Sequence, residues 1–222
     1  SMQIYKEFSI LSSRPSSLES KKTKHHLYGV ISVKKHFSVG EWFKIAKRKI
    51  NMCHKNNKTP IIVGGTGLYF NAIIKGISKI PNIDTKTRKK VRSLFKKLGY
   101  KNFYQKLLDL DPEVKNRILP TDSQRVQRAY EVVLKTKKSL FDWIKSTKSD
   151  FINFEIKKIF INISREDLLK KISRRTELMF KDKCIDEVKK FNSLKLKKTL
   201  SANKLIGVPE INSYLKGAIS LK

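Results

Sequence analysis

Along the first eighty residues, short continuous apolar runs flank a single helical stripe. Residues 27–33 (Leu-Tyr-Gly-Val-Ile-Ser-Val) and 61–63 (Ile-Ile-Val) are rich in β-branched side chains and predict buried strands. Between them, from about Gly40, Trp42, Ile45, Ala46, Ile50 and Cys53 recur on one helical face. Strand, helix and strand in this order make a β-α-β unit, from which a parallel sheet follows. Phe160, Ile161, Asn162 and Ile163 predict a third strand. Ser164 then caps a helix carrying Leu168, Leu169 and Ile172, with more helix expected around 185–191 and 205–215.

Between about Pro81 and Ser146 the strand signal disappears. Val91, Leu94, Phe95 and Leu98 form one helical stripe, and Phe103, Leu107 and Leu110 form another. Asp111-Pro112 opens a third helix, with Pro in its first turn. Thr121 to Gln124 makes a Thr-x-x-Gln capping box for a fourth, whose Val126, Ala129, Tyr130 and Val133 face inward. The expected organisation is an α/β frame, residues 1–80 and 147–222, with an all-helical insertion at 81–146.

The junction at Pro60–Ile74 has the strongest chemical signal. Gly64, Gly65 and Gly67 permit positive φ or close approach of a ligand, and Thr66 stands where a strand ends and a helix begins. In open α/β sheets ligands bind at that edge, and a helix N-terminus there favours phosphate. A tight βα turn without a ligand is the equal alternative. No glycine precedes a lysine, so the chain holds no Gly-x-x-x-x-Gly-Lys loop, and Phe70 occupies the third glycine place of a dinucleotide fingerprint.

Other candidates are weaker. Gln124, Arg128 and Glu131 lie opposite the apolar stripe of the fourth insertion helix, with Arg125 on its flank. With Gln127, they could donate to phosphates or base edges, or form an ordinary solvated face. Arg88 lies one turn before Val91, where a guanidinium either snorkels or points into a cleft. His25-His26 suggests a metal, but without a third ligand nearby a structural role is favoured.

Charge sharpens the picture. Fifty Lys and Arg against nineteen Asp and Glu leave a net charge of +31 over 222 residues, a field that attracts a polyanion. Forty of these cations are Lys, accompanied by many Ile and Asn, so codon bias is a second source of the excess. Cys53 and Cys184 stand in no metal-ligand spacing, and no apolar run is long enough to cross a membrane. A cytoplasmic, monomeric protein with no membrane association is expected.

Several segments carry a resemblance. Ser1-Met2-Gln3-Ile4-Tyr5 is similar to an Asp-Ser-x-Gln-x-Tyr motif without its first residue, and Leu11-Ser12-Ser13-Arg14-Pro15 to a diverged Gly-Thr-Ala-Lys-Pro. His25-His26-Leu27, Gly64-Gly65-Thr66-Gly67-Leu68-Tyr69 and Asp111-Pro112 follow. Then come Asp122-x-Gln124-Arg125-x-x-Arg128-Ala129-x-Glu131-Val132, Ile206-Gly207-x-x-Glu210 and Tyr214-Leu215-x-Gly217. In this order, over nearly the whole chain, they resemble the tRNA dimethylallyltransferases, which prenylate the adenosine beside the anticodon.

The resemblance implies a P-loop NTPase-like α/β core with its first strand missing, and a helical insertion that grips the anticodon stem-loop of tRNA. It implies dimethylallyl diphosphate as donor, Mg²⁺ as cofactor, and a flipped adenine whose N6 attacks the allylic carbon. By position, Thr66 and Arg88 would contact the reacting nucleotide and diphosphate, with Gly64 and Gly65 in the substrate channel. Ser1, Met2 and Gln3 would hold the adenine. Gln124, Arg125, Val126, Gln127 and Arg128 would meet the anticodon loop, as would Lys204, Leu205, Ile206, Gly207, Val208 and Pro209. The family's phosphate-binding loop and the catalytic Asp before Ser1 lie outside this chain, which also stops short of a basic helix expected after Gly217. The expectation is therefore an incomplete chain of an active transferase, inactive by itself; the alternative is a non-catalytic tRNA-binding protein that has lost the phosphate-binding loop.

Overall fold

Helices in this protein begin where a small polar side chain can cover the open N–H groups of a first turn. A computed structural model describes residues 2–35, 37–197 and 200–220, so the expectation placed on Ser1 lies outside the described residues. Ser16 opens α1 (Ser17–Lys22) and Ser38 opens α2 (Val39–Lys55). In each, the N3 glutamate, Glu19 or Glu41, returns a carboxylate to the cap. The chain continues through α3 (Gly67–Lys75), α4 (Thr85–Leu110), α5 (Ser123–Thr136), α6 (Leu140–Lys145), α7 (Arg165–Lys181), α8 (Cys184–Ser193) and α9 (Val208–Leu215).

Two compact units result: Ser1–Phe70 with Ile156–Lys222, and Asn71–Glu155. In the second, α4 packs on α5. Gly99 (φ 69, ψ 173) interrupts α4, which explains why its sequence carries two separate stripes. Val91, Phe103 and Leu107 meet Val126, Ala129, Tyr130 and Val133 in one core, with the Phe103 ring 4.7 Å from Tyr130 and 5.1 Å from Phe95. Leu110, expected in the stripe, is half-exposed. Asp111-Pro112 starts only a short 3-10 turn, Pro112–Val114.

This unit runs wider than 81–146 because its first and last segments are tied together. Ser149 donates its hydroxyl to the Ile73 carbonyl at 2.7 Å, and the Ser78 and Thr147 hydroxyls lie 2.6 Å apart. Gly76 (φ 89) passes so close that a Cβ there would strike the Lys148 carbonyl. The cap of α5 also falls one residue later than expected. Asp122, not Thr121, covers the Arg125 N–H, and Glu131 is nearly buried rather than solvated.

In the first unit, α2 buries Trp42, Phe43, Ala46 and Ile50, and Trp42 stacks on Tyr69 of α3 at 4.2 Å between ring centroids. Phe8, fully buried, packs on Phe191 of α8 at 4.8 Å. Glu7 accepts from the Ser32 hydroxyl at 2.7 Å and the Val33 N–H at 3.0 Å.

The expected parallel sheet is not built. Among the described residues, the only ladder contact is one parallel bridge, Tyr5 to Ile31, supported by N–H bonds from Lys6 to Ile31 and from Ile31 to Ile4. Residues 61–63 and 160–163 belong to no helix or strand and form no ladder bridge. Ile61 is 83% exposed and Phe160 is 88% exposed. A β-branched run becomes a strand only when another backbone satisfies its N–H and C=O groups, and none does so among the described residues.

Asp84 shows how these caps stabilise. Its carboxylate accepts the Thr87 N–H at 2.7 Å and the Thr87 hydroxyl at 2.9 Å, and pairs with Lys135 of α5 at 3.2 Å. The bonds from Thr87, then Lys135, hold the carboxyl well below the usual carboxylate range. A depressed folded-state pKa stabilises above the unfolded value, near 4, and that contribution fades as pH falls. Asp84→Ala should therefore lower the unfolding temperature at pH 7. The gap to the parent should narrow as thermal melts are repeated below about pH 4.

Candidate functional site

The segment Gly64–Tyr69 leads into α3 from residues 61–63, which form no strand. The Thr66 carbonyl accepts the Tyr69 N–H at 3.0 Å and the Phe70 N–H at 3.4 Å, which puts Thr66 at the mouth of the helix. Neither Gly64 nor Gly65 takes positive φ, and a Cβ on either would meet nothing within 4 Å among the described residues. The chain's own packing therefore does not demand glycine there, whereas an approaching ligand would. Burial pushes the Tyr69 phenol above its ordinary pKa, and the neighbouring Tyr5 adds to this.

Met2 and Gln3, both partly buried, lie on a short 3-10 turn, Met2–Ile4. Gln3 donates its Nε2 to the Ser13 carbonyl at 2.8 Å. Of residues 204–209, Lys204, Ile206 and Pro209 are exposed, with Ile206 86% open. Leu205 and Val208 are buried, so as contacts for a macromolecule their side chains must be struck off. The reason is α9, whose start turns Val208 inward beside Ile211. Gly207 (φ 97) carries the turn, its N–H donating to the Glu210 carboxylate at 2.8 Å, and it presses on Leu11.

In the second unit, the first turn of α5 presents Gln124 and Arg125 to solvent. Val126 is fully buried in the core, on the inward face its helical spacing predicts, which corrects the contact with the anticodon loop that the resemblance implied. Gln127 folds back on the Ser123 carbonyl at 3.0 Å. Arg125 Nε lies 3.3 Å from Asp122, and Arg128 lies 3.3 Å from Glu131, so both guanidiniums are steered yet partly open. Arg88 sits in the first turn of α4 with its Nε buried and without a hydrogen-bond partner among the described residues. An orphaned guanidinium nitrogen of this kind is a ready donor to an anion.

The profile of the IPP transferase family matches residues 3–222. The chain belongs to the IPP transferase family. The tRNA dimethylallyltransferase of Pelagibacter ubique (strain HTCC1062) is 48% identical over 221 residues, all of this chain and 71% of that protein. The enzyme of the same name from Wolbachia sp. subsp. Drosophila simulans (strain wRi) is 40% identical over 222 residues, 74% of its own length. The full-length tRNA isopentenylpyrophosphate transferase of Bacillus halodurans superposes with a TM-score of 0.63 at 28% identity, over all of this chain and 68% of that one. A eukaryotic dimethylallyltransferase acting on tRNA shares the fold, with a TM-score of 0.81 at 21% identity over 98% of this chain and 56% of its own.

Within this IPP transferase chain, no three His, Cys, Asp or Glu side chains converge among the described residues, and none of its described helices is long and apolar enough to cross a membrane. Sequence reasoning missed Glu187, a nearly buried carboxylate of α8 bonded to residues 9–11. Its partners are backbone N–H groups on a distant segment, which leave no mark in a sequence pattern.

The two glycine sites should separate in stability. Gly207→Ala meets both positive φ and Leu11, 2.7 Å from the new Cβ, and should cost about 1–3 kcal/mol. Gly64→Ala should leave stability unchanged or raise it by up to about 1 kcal/mol. Urea unfolding of both variants checks the contrast.

Proposed function

We propose that this chain binds the anticodon stem-loop of tRNA and serves in dimethylallyl transfer to N6 of the adenosine adjacent to the anticodon, position 37. The observation that carries this reading is the match, at 48% identity over all of this chain and 71% of the other, to a protein named tRNA dimethylallyltransferase. Residues 71–155 supply the RNA-gripping unit and the remainder the transferase core. In the reaction the N6 lone pair forms a bond to the allylic carbon while the carbon–oxygen bond breaks. Diphosphate leaves with the electron pair, and the N6 proton passes to a base. Mg²⁺ arrives with the diphosphate, whose charge it shares.

The described residues serve the binding half of this chemistry. Gly64 and Gly65 let the diphosphate approach the backbone, and the N-terminus of α3 beside Thr66 favours its charge. Arg88 offers its unpartnered Nε to a phosphate oxygen. Gln124, Arg125, Gln127 and Arg128 meet the anticodon loop through the exposed turn of α5, and Lys204, Ile206 and Pro209 are exposed candidates for RNA contact on the first unit. Met2 and Gln3 hold the base.

The test is a salt titration of stem-loop binding. Arg125→Ala and Arg128→Ala should each weaken binding, and each lost phosphate contact should reduce the salt slope by about one. Unchanged affinity and slope in both variants would remove α5 from the RNA face. With labelled dimethylallyl diphosphate and the chain extended to its relatives' full length, Thr66→Ala should slow transfer to the stem-loop by about a hundredfold, the low end for a lost transition-state donor. A stem-loop bound tightly but never alkylated would assign a binding role alone.

A further inference from the structure

Glu187 gathers one turn of backbone. Its Oε1 accepts the N–H of Ser9 at 2.7 Å and of Ile10 at 2.9 Å, together with the Ser9 hydroxyl at 3.1 Å, and its Oε2 accepts the N–H of Leu11 at 2.9 Å. One helical turn further along α8, Phe191 holds Phe8. The turn closes at Ser13 (φ 48), whose N–H bonds the Ile10 carbonyl at 2.9 Å. The Ser13 carbonyl then accepts Gln3 Nε2 at 2.8 Å, while Leu11 rests against Gly207.

This chain of contacts sets the orientation of one amide. With one Nε2 hydrogen bonded to the Ser13 carbonyl, the amide is fixed with Nε2 toward the turn and Oε1, an acceptor, on its other side, the second N–H remaining a donor. An acceptor matches the exocyclic 6-amino group of adenine and opposes the O6 of guanine. Loss of the Glu187 carboxylate would leave three N–H donors of the turn without their partner, release Ser13 and free the Gln3 amide to flip.

We propose that Glu187 is a positioning residue for base selection: by holding the 9–13 turn, it presents Gln3 as an acceptor for a 6-aminopurine. The inference rests on the tRNA reading above, which places Gln3 against the reacting base.

Two anticodon stem-loops, identical except for adenosine or purine riboside at position 37, test it by fluorescence anisotropy. The parent should prefer adenosine by about fivefold, the worth of one net hydrogen bond. Glu187→Gln, which keeps one acceptor oxygen but sets an amide NH₂ against the donors of the other, should lower the ratio toward one while leaving affinity for the purine stem-loop within about twofold. Gln3→Leu should give the same ratio with unchanged circular dichroism and melting. A preserved adenosine preference in folded Glu187→Gln overturns the proposal and leaves Glu187 a structural clamp. If that variant does not fold, Glu187→Asp, which withdraws the carboxylate by one methylene, carries the same comparison. Equal affinity of the parent for both RNAs overturns base selection but not tRNA binding. Failure to bind either RNA overturns the tRNA reading itself, and this proposal with it.

Discussion

A carboxylate drawn out of water needs several hydrogen-bond donors, and Glu187 finds them in the backbone of residues 9–11. Most of the first unit is arranged around that requirement. Phe8 and Phe191 pack beside the carboxylate, Gln3 is anchored at the end of the turn, and Gly207 gives way to Leu11. With scarcely any sheet pairing in this unit, such side-chain-to-backbone clamps take over the work of a strand ladder. Glu7 does the same for Ser32 and Val33. Both glutamates join segments far apart in sequence, so each closes a large loop with a few directional bonds.

The helical part of the molecule was legible because its signals are local. Ser38 with Glu41, Ser164 with Asp167, and the stripes through Val91 and Phe103 all act within one or two turns. Errors arose where a local signal competed with a neighbour. Thr121 and Asp122 both suit a cap, and the carboxylate, stronger toward the Arg125 N–H, takes it. Glu131 is nearly buried even though Val126, Ala129, Tyr130 and Val133 hold the inward face that their spacing predicts, because Val132 beside it is buried too and the covered part of α5 is wider than one stripe. Strands failed for a different reason. The runs at 61–63 and 160–163 have the composition of buried strands, but pairing is a non-local property that composition does not supply.

Site residues divide along the same line. Thr66 at the mouth of α3 and Arg125 on an open first turn could be placed from helix boundaries alone. Val126, Leu205 and Val208 belong to segments that a motif marks as a block, yet helical geometry assigns alternate members of each block to the core. A motif identifies which stretch of chain faces a partner. Only the phase of the helix decides which side chains do.

The charge imbalance gains meaning from where the acids are used. Glu19, Glu41, Asp84, Asp122, Asp167 and Glu210 sit at helix N-termini, accepting backbone N–H groups or returning to the cap, and Glu7 and Glu187 are taken up in clamps. At those positions a negative charge is favoured by the helix dipole or by aligned donors, so it cannot be traded away to balance the surface. A few acids, such as Glu113 and Glu166, pair with cations one turn away. The remaining lysines have few counter-charges within the chain. Whatever produced the lysine excess, the resulting field is real and attracts a polyanion before any specific contact forms. Selectivity must then come from the few fixed donors and acceptors, because a diffuse field holds any nucleic acid while an oriented amide can choose among bases.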